Sequence, residues 1–310
     1  ALGMPIEGLS HQNVRTYYKG IKEFRDDEER KDLSAGQWTD DTQMTFAVAR
    51  AMTSERDPAT WPETVAEEYV ALRGEARRWG PTTTQAIERL ADGGAPAEAG
   101  SADRPTDGAA MRAAPLGAWW AAGGVPRDDA FEGVRAVLGV THRHPAALVA
   151  GWGQAAGIRF LLQQDPEAFD RSGFWATLLN ATTEAEERLG GDARVSDRLR
   201  ALEDQLDAFP LDLRDACGGV SVRADEAWPF ACAMVARRPH LLENTLLSGI
   251  NVGGDADTTG AMMGAMLGAL HGWAAFPAEW KEGLEATSRL EDEATAFAEA
   301  IQRPAPQTTD

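Results

Sequence analysis

Two segments far apart in the chain each set carboxylates beside a threonine hydroxyl: Thr39-Asp40-Asp41 and Asp255-Ala256-Asp257-Thr258. Hard divalent cations such as Mg²⁺, Mn²⁺ or Ca²⁺ take oxygen ligands, and four carboxylates carry enough negative charge for two of them. Two ions about 3.5–4 Å apart can orient a water, stabilise developing negative charge and hold a substrate hydroxyl. The absence of nearby His or Cys argues against zinc. Taken together the pair points to a two-cation site used for hydrolysis. Each segment alone has another explanation. Asp or Thr followed three residues later by Gln43 ahead of an apolar run is also a helix N-cap, and Asp255 and Asp257 would equally be stabilised by the positive end of a following helix. Gly253 and Gly254 introduce the second segment and let backbone and ligand approach closely.

The elements that must bring these segments together read as helices. Met44, Val48, Ala51 and Met52 keep one face, as do Phe131, Val134, Val137 and Leu138, and later Phe174, Leu178 and Leu179. Alternating β-branched runs and hairpin dipeptides are scarce, so the pattern predicts an all-α fold, a compact orthogonal bundle of about a dozen helices over 1–303, with a disordered tail over 304–310. The Gly/Pro/Ala/Ser-rich stretch from Asp92 to Gly108 is a domain boundary or a substrate loop. The loop is preferred, because a packed helical pattern resumes behind it and the acidic segments on either side need a common core to meet. Thr259 to Phe276 carries no formal charge, with glycine at 260, 264, 268 and 272. Its Ala and Met content, His271 and the adjoining aspartates favour a tightly packed central helix over a membrane span.

Composition narrows the function classes. The 310 residues are 43% hydrophobic and 25% charged, which suits a soluble globular protein with a sizeable core. A formal net charge of −19 repels phosphate backbones and anionic lipid, so bulk nucleic-acid and membrane binding are disfavoured. The only cysteines, Cys217 and Cys232, form no CxxC pair and suggest neither a disulfide framework nor structural zinc, in keeping with a reducing cytoplasm. The first residues hold neither a basic region nor an apolar run of secretory type, and Ala1 in place of an initiator Met implies a processed or trimmed start. A monomer is the default expectation.

The run Gly36 to Met44, together with Gly249 to Gly260, resembles the two signature motifs of the ADP-ribosylglycohydrolase family. Weaker matches follow the family order: Ala1 to Glu7, Trp79-Gly80-Pro81-Thr82-Thr83, Gly108-Ala109-Ala110-Met111-Arg112 and Thr141-His142-Arg143-His144-Pro145. The resemblance implies an all-α single domain, a binuclear Mg²⁺ or Mn²⁺ centre, and hydrolysis at the anomeric carbon of the distal ribose of ADP-ribose. It implies Thr39, Asp40, Asp41, Asp255, Asp257 and Thr258 as metal ligands, with Asp41 and Asp257 central to catalysis. Glu7 matches the family glutamate near the metals and the scissile bond, and would deprotonate water or protonate the leaving group. Gly108, Ala109, Met111, His142, Gly253 and Gly254 match segments lining the ADP-ribose cleft. Ala109 and Met111 could equally be core residues, and His142 a capping or hydrogen-bonded histidine. Two departures stand out: the family usually has Gly-Asp immediately before the alanine that is residue 1 here, and Asp107 stands where many members have Asn. The acceptor differs within the family. Arginine is preferred over serine here, on the ground that an acidic protein attracts guanidinium surfaces. Other ADP-ribose conjugates such as O-acetyl-ADP-ribose, a non-catalytic relative, or a metal-dependent nucleotide phosphohydrolase are the alternatives.

Overall fold

The computed structural model describes residues 1–191 and 194–302. The expected tail over 304–310 therefore lies outside the described residues. Among those residues there are twelve helices of eight residues or more, shorter helical turns between them, and three isolated β-bridges in place of strands. This bears out the all-α expectation. Buried side chains from Ile6 to Phe297 form one contiguous core.

The helix most enclosed by others is Pro145–Leu161. Proline stands in its first turn, where a missing N–H costs nothing, and His144 Nδ1 caps it by accepting from the Ala146 amide at 3.1 Å. It packs against Ala114–Ala122, Arg127–Gly139, Arg171–Leu189, Ala224–Arg237 and Ala256–His271. Its small residues permit that many neighbours. Trp228 lies over Gly153, where an added Cβ would come within 2.5 Å of the indole. Trp120 stacks on Trp152 at 4.7 Å and Phe131 meets Trp152 edge-on at 5.2 Å, so large rings fill the space that the small residues open.

The expected central helix over 259–276 is corrected in two respects. The helix runs Ala256–His271 and ends at Gly272, whose φ of 77° stops it before Phe276. It buries a methionine-rich face, Met262, Met263, Met266 and Leu267, while Gly260, Gly264 and Gly268 stay half-buried. The four-residue glycine repeat therefore lies beside the packed stripe, because flexible methionines fill the interface better than hydrogen atoms do. No helix among the described residues is long and apolar enough to cross a membrane.

The stretch from 92 to 108 is knitted onto the body. The Ser101 amide donates to Thr141 O at 3.0 Å and the Arg143 amide to Ser101 O at 2.8 Å; further along, the Asp107 amide donates to Val222 O at 3.0 Å. The loop ends in a 3-10 turn, Asp107–Arg112, which touches the Asp40–Ser54, Pro145–Leu161, Ala224–Arg237 and Ala256–His271 helices. Gly153→Ala should therefore destabilise the fold by about 1–3 kcal/mol through the clash with Trp228. Urea denaturation checks this, and an unchanged midpoint would contradict the packing described.

Candidate active site

Both acidic segments form helix N-termini, in matching positions. Thr39 is the N-cap of Asp40–Ser54 and Asp255 the N-cap of Ala256–His271, so Asp41 and Asp257 each occupy the second helical position. Side-chain capping does not describe what the two N-cap residues do. Neither N-cap side chain bonds a backbone amide of its helix. Thr39 Oγ1 instead donates to Asp41 Oδ2 at 2.7 Å. Gln43 is turned elsewhere, donating to Glu75 O at 2.8 Å and accepting from Trp79 Nε1 at 2.9 Å.

The helix carrying Asp41 touches the helix carrying Asp257, both touch the turn carrying Asp107, and the Asp257 helix also touches the turn Met4–Ile6 just before Glu7. Asp41 and Asp257 line one cavity of about 240 Å³, together with Ala1, Leu2, Gly3 and the apolar wall of Phe24, Trp273, Phe276 and Trp280. Two backbone straps fix the register. The Gly8 amide donates to Gly254 O and the Gly254 amide to Leu9 O, each at 2.8 Å, while the Asp255 amide donates to Val220 O at 2.8 Å. Gly253 and Gly254, expected at the substrate, serve these straps: φ is 81° and 78°, and added Cβ atoms would fall 2.3 Å from Leu9 O and 1.9 Å from Val220 O.

Burial, reinforced by crowding of like charge, governs the electrostatics. Burial, then the charge of Asp41, raises the carboxyl of Asp107 to about 8; burial and then Asp41 and Glu7 raise that of Asp257 to about 7. Asp40 and Asp255 are pushed well above the usual carboxylate range, first by burial and then by their acidic neighbours. Asp41 is raised by burial against the opposing effect of the Thr39 hydroxyl. Asp41 Oδ1, Asp257 Oδ1 and Asp107 Oδ2 are buried without a hydrogen-bond partner. Unpartnered buried oxygens are costly, and an all-oxygen donor set is what hard cations take. Among the described residues no three His, Cys, Asp or Glu side chains close on a common point. Asp41 and Asp257 thus line one cavity without a closed shell of such side chains.

The remaining expected residues divide. Glu7 accepts from Arg30 Nη1 at 2.5 Å and from Arg78 Nη1 at 3.0 Å, and its charge reaches Asp40, Asp41, Asp255 and Asp257. His142 is buried. Its Nδ1 lies 2.7 Å from Thr141 Oγ1 and 3.3 Å from Arg112 Nη2. Arginine only donates, so Nδ1 accepts and the ring proton belongs on Nε2, which faces Gly108. Burial, then the Arg112 charge, holds His142 well below its usual pKa. Ala109 is fully buried and Met111 nearly so, which is core placement. Asp107 joins the acidic group rather than standing apart from it. Arg30 and Arg78, which bind Glu7, and Asp27, which binds Arg78, carry no local signal in the sequence: the run Asp26-Asp27-Glu28-Glu29-Arg30 reads as a solvated surface, and Arg78 is remote from it in the chain.

The family model for ADP-ribosylglycohydrolase matches residues 1–307. An uncharacterised protein of Archaeoglobus fulgidus is 30% identical over 305 residues, covering 98% of this chain and 93% of its own length. The uncharacterised protein YegU of Escherichia coli is 28% identical over 326 residues, covering 98% and 94%. A solved structure titled ADP-ribosylglycohydrolase-related protein complex superposes with a TM-score of 0.74 at 25% identity, covering 98% of this chain and 93% of that one.

A carboxyl raised from 3.8 to about 8 keeps its proton in the folded state while the unfolded chain releases it, so its contribution to stability is lost as pH rises between those values. Asp107→Asn removes that loss. In chelator, the variant should be more stable than the parent by about 1 kcal/mol or more at pH 8, with the gain shrinking toward pH 5. Urea midpoints across that range measure it, and a gain independent of pH would contradict the assignment.

Proposed function

The chain belongs to the ADP-ribosylglycohydrolase family, and on that premise we propose that it is a metal-dependent hydrolase of the glycosidic bond between ADP-ribose and an acceptor, arginine of a modified protein in preference to serine. The observation that carries the reading is the pair of buried, unpartnered oxygens, Asp41 Oδ1 and Asp257 Oδ1, contributed to one cavity by two helix N-termini. Thr39, Asp40, Asp41, Asp255, Asp257 and Thr258 would hold two divalent cations, Mg²⁺ or Mn²⁺. Bound there, the cations supply Lewis-acid activation of water and neutralise charge developing on the departing group.

The chain's own residues have separable tasks. The N-terminal ends of two helices keep Asp41 and Asp257 at fixed positions and oppose, without overcoming, the burial that favours their protonated forms. Glu7 is the acidic group of the site held by guanidinium donors, and it would move the proton of the attacking water or of the leaving acceptor. His142, neutral and with its proton on Nε2, would orient the substrate as a donor. The preference for arginine follows from the net charge of −19, which favours approach of cationic acceptor surfaces over a screening length of about 8–10 Å.

ADP-ribose release from arginine-linked and serine-linked modified proteins, each with Mg²⁺, Mn²⁺ or chelator, tests the reading. Metal-dependent release from arginine-linked substrate is expected. Release from serine-linked substrate alone would correct the acceptor, and no release from either would overturn the hydrolase. Asp257→Asn should lower turnover at least about 100-fold. Mg²⁺ or Mn²⁺ should raise the parent's melting temperature and leave that of Asp257→Asn unmoved; an equal rise in both would remove Asp257 from the cation site.

A further inference from the structure

Two arginines grip Glu7, and they differ in how firmly each is itself held. Among the described residues Arg30 donates from Nη1 and Nη2 to Glu7 alone, and its side chain is 42% exposed. Arg78 is 7% exposed and uses all five guanidinium N–H groups. Its Nε reaches Asp32 Oδ2 at 3.0 Å and Nη2 reaches Asp32 Oδ1 and Asp27 Oδ2 at 2.5 Å each; Nη1 reaches Met4 O at 2.8 Å and Glu7 Oε2 at 3.0 Å. Asp27 in turn organises the turn that carries Arg30, accepting from the Glu29 and Arg30 amides at 2.9 Å each. The Arg78 backbone is left-handed, with φ of 59°. A non-glycine residue holds that conformation only where its surroundings over-determine it. Here the neighbouring Arg77 is bound to Glu285 and stacked 4.0 Å over Trp38, while Arg78 serves the acidic site.

We infer that Arg78 is a positioning residue for Glu7, orienting its carboxylate toward the acidic cluster, and that Asp27 and Asp32 lock Arg78 for that task. The inference rests on the hydrolase reading of the site. Fixed geometry is what distinguishes Arg78 from a charge partner: the planar fork spans Glu7, the Met4 carbonyl and two aspartates at once, which a lysine ammonium does not reproduce. Arg30, whose guanidinium has Glu7 as its one partner among the described residues, supplies charge and no such lock.

A double-mutant cycle separates positioning from plain stability. With metal saturating, Arg78→Lys should lower kcat on the order of 10-fold while KM and the cation-induced thermal shift stay within about 2-fold. In the Glu7→Gln background the same substitution should change kcat less than about 2-fold, since there is no carboxylate left to orient. Asp32→Asn, at a half-exposed position tolerant of change, should give a smaller kcat loss that also disappears in the Glu7→Gln background. It is the variant to use if Arg78→Lys does not fold. Equal losses in both backgrounds, or a loss confined to KM or stability, would overturn the positioning role and leave the hydrolase reading intact. A parent that releases no ADP-ribose under any metal condition would overturn that reading, and the positioning role with it.

Discussion

Repulsion among acidic side chains confined to one water-poor space is the constraint around which the molecule is arranged. Like charges about 4 Å apart repel by about 4 kcal/mol even at the effective dielectric of a protein surface, more than a typical hydrogen bond returns. The chain meets this in three ways. It places Asp41 and Asp257 at helix N-termini, where the backbone dipole favours negative charge; it supplies the Thr39 hydroxyl as a donor; and it lets Asp107 and Asp257 retain protons near neutral pH. Three oxygens remain without partners. A site with that residue set is costly to the isolated fold, so stability and the proposed function pull against each other at the same atoms.

Holding repelling groups together requires elements that cannot drift apart. The straps between 8–9 and 254, and between 220–222 and residues 107 and 255, join the site's segments through backbone hydrogen bonds that do not depend on side-chain identity. Behind them the Pro145–Leu161 helix is enclosed by five other helices, with indole and phenyl rings filling the gaps left by Gly and Ala. Tight packing makes such a core stiff, and stiffness keeps the carboxylates at fixed separation.

Cations are placed sparingly around this centre. Arg112 is fully buried and bonded to Thr141 and His142; burial lowers its pKa, with Tyr69 and then Asp40 opposing that shift. Arg78 acts at one remove, through Glu7, with Asp27 and Asp32 balancing it. A chain of net charge −19 thus keeps guanidinium groups against its acidic site without neutralising it.

The sequence by itself determined the helical class, since apolar positions such as Met44, Val48 and Ala51 recur at the helical period and are buried as that period requires. It also marked Thr39-Asp40-Asp41 and Asp255-Ala256-Asp257-Thr258, because acidic residues beside threonine and glycine are a local pattern. Whether those residues were caps or potential ligands could not be read locally, as both uses demand the same residue types at the same helix position. The tertiary structure adds that neither N-cap side chain bonds a backbone amide of its own helix and that Asp41 and Asp257 line one cavity. It also decided that Gly253 and Gly254 serve chain crossings, that Ala109 belongs to the core, that Asp107 joins the acidic group, and that Arg78 holds Glu7. Those outcomes depend on contacts between segments distant in the chain, which carry no periodic or local signature.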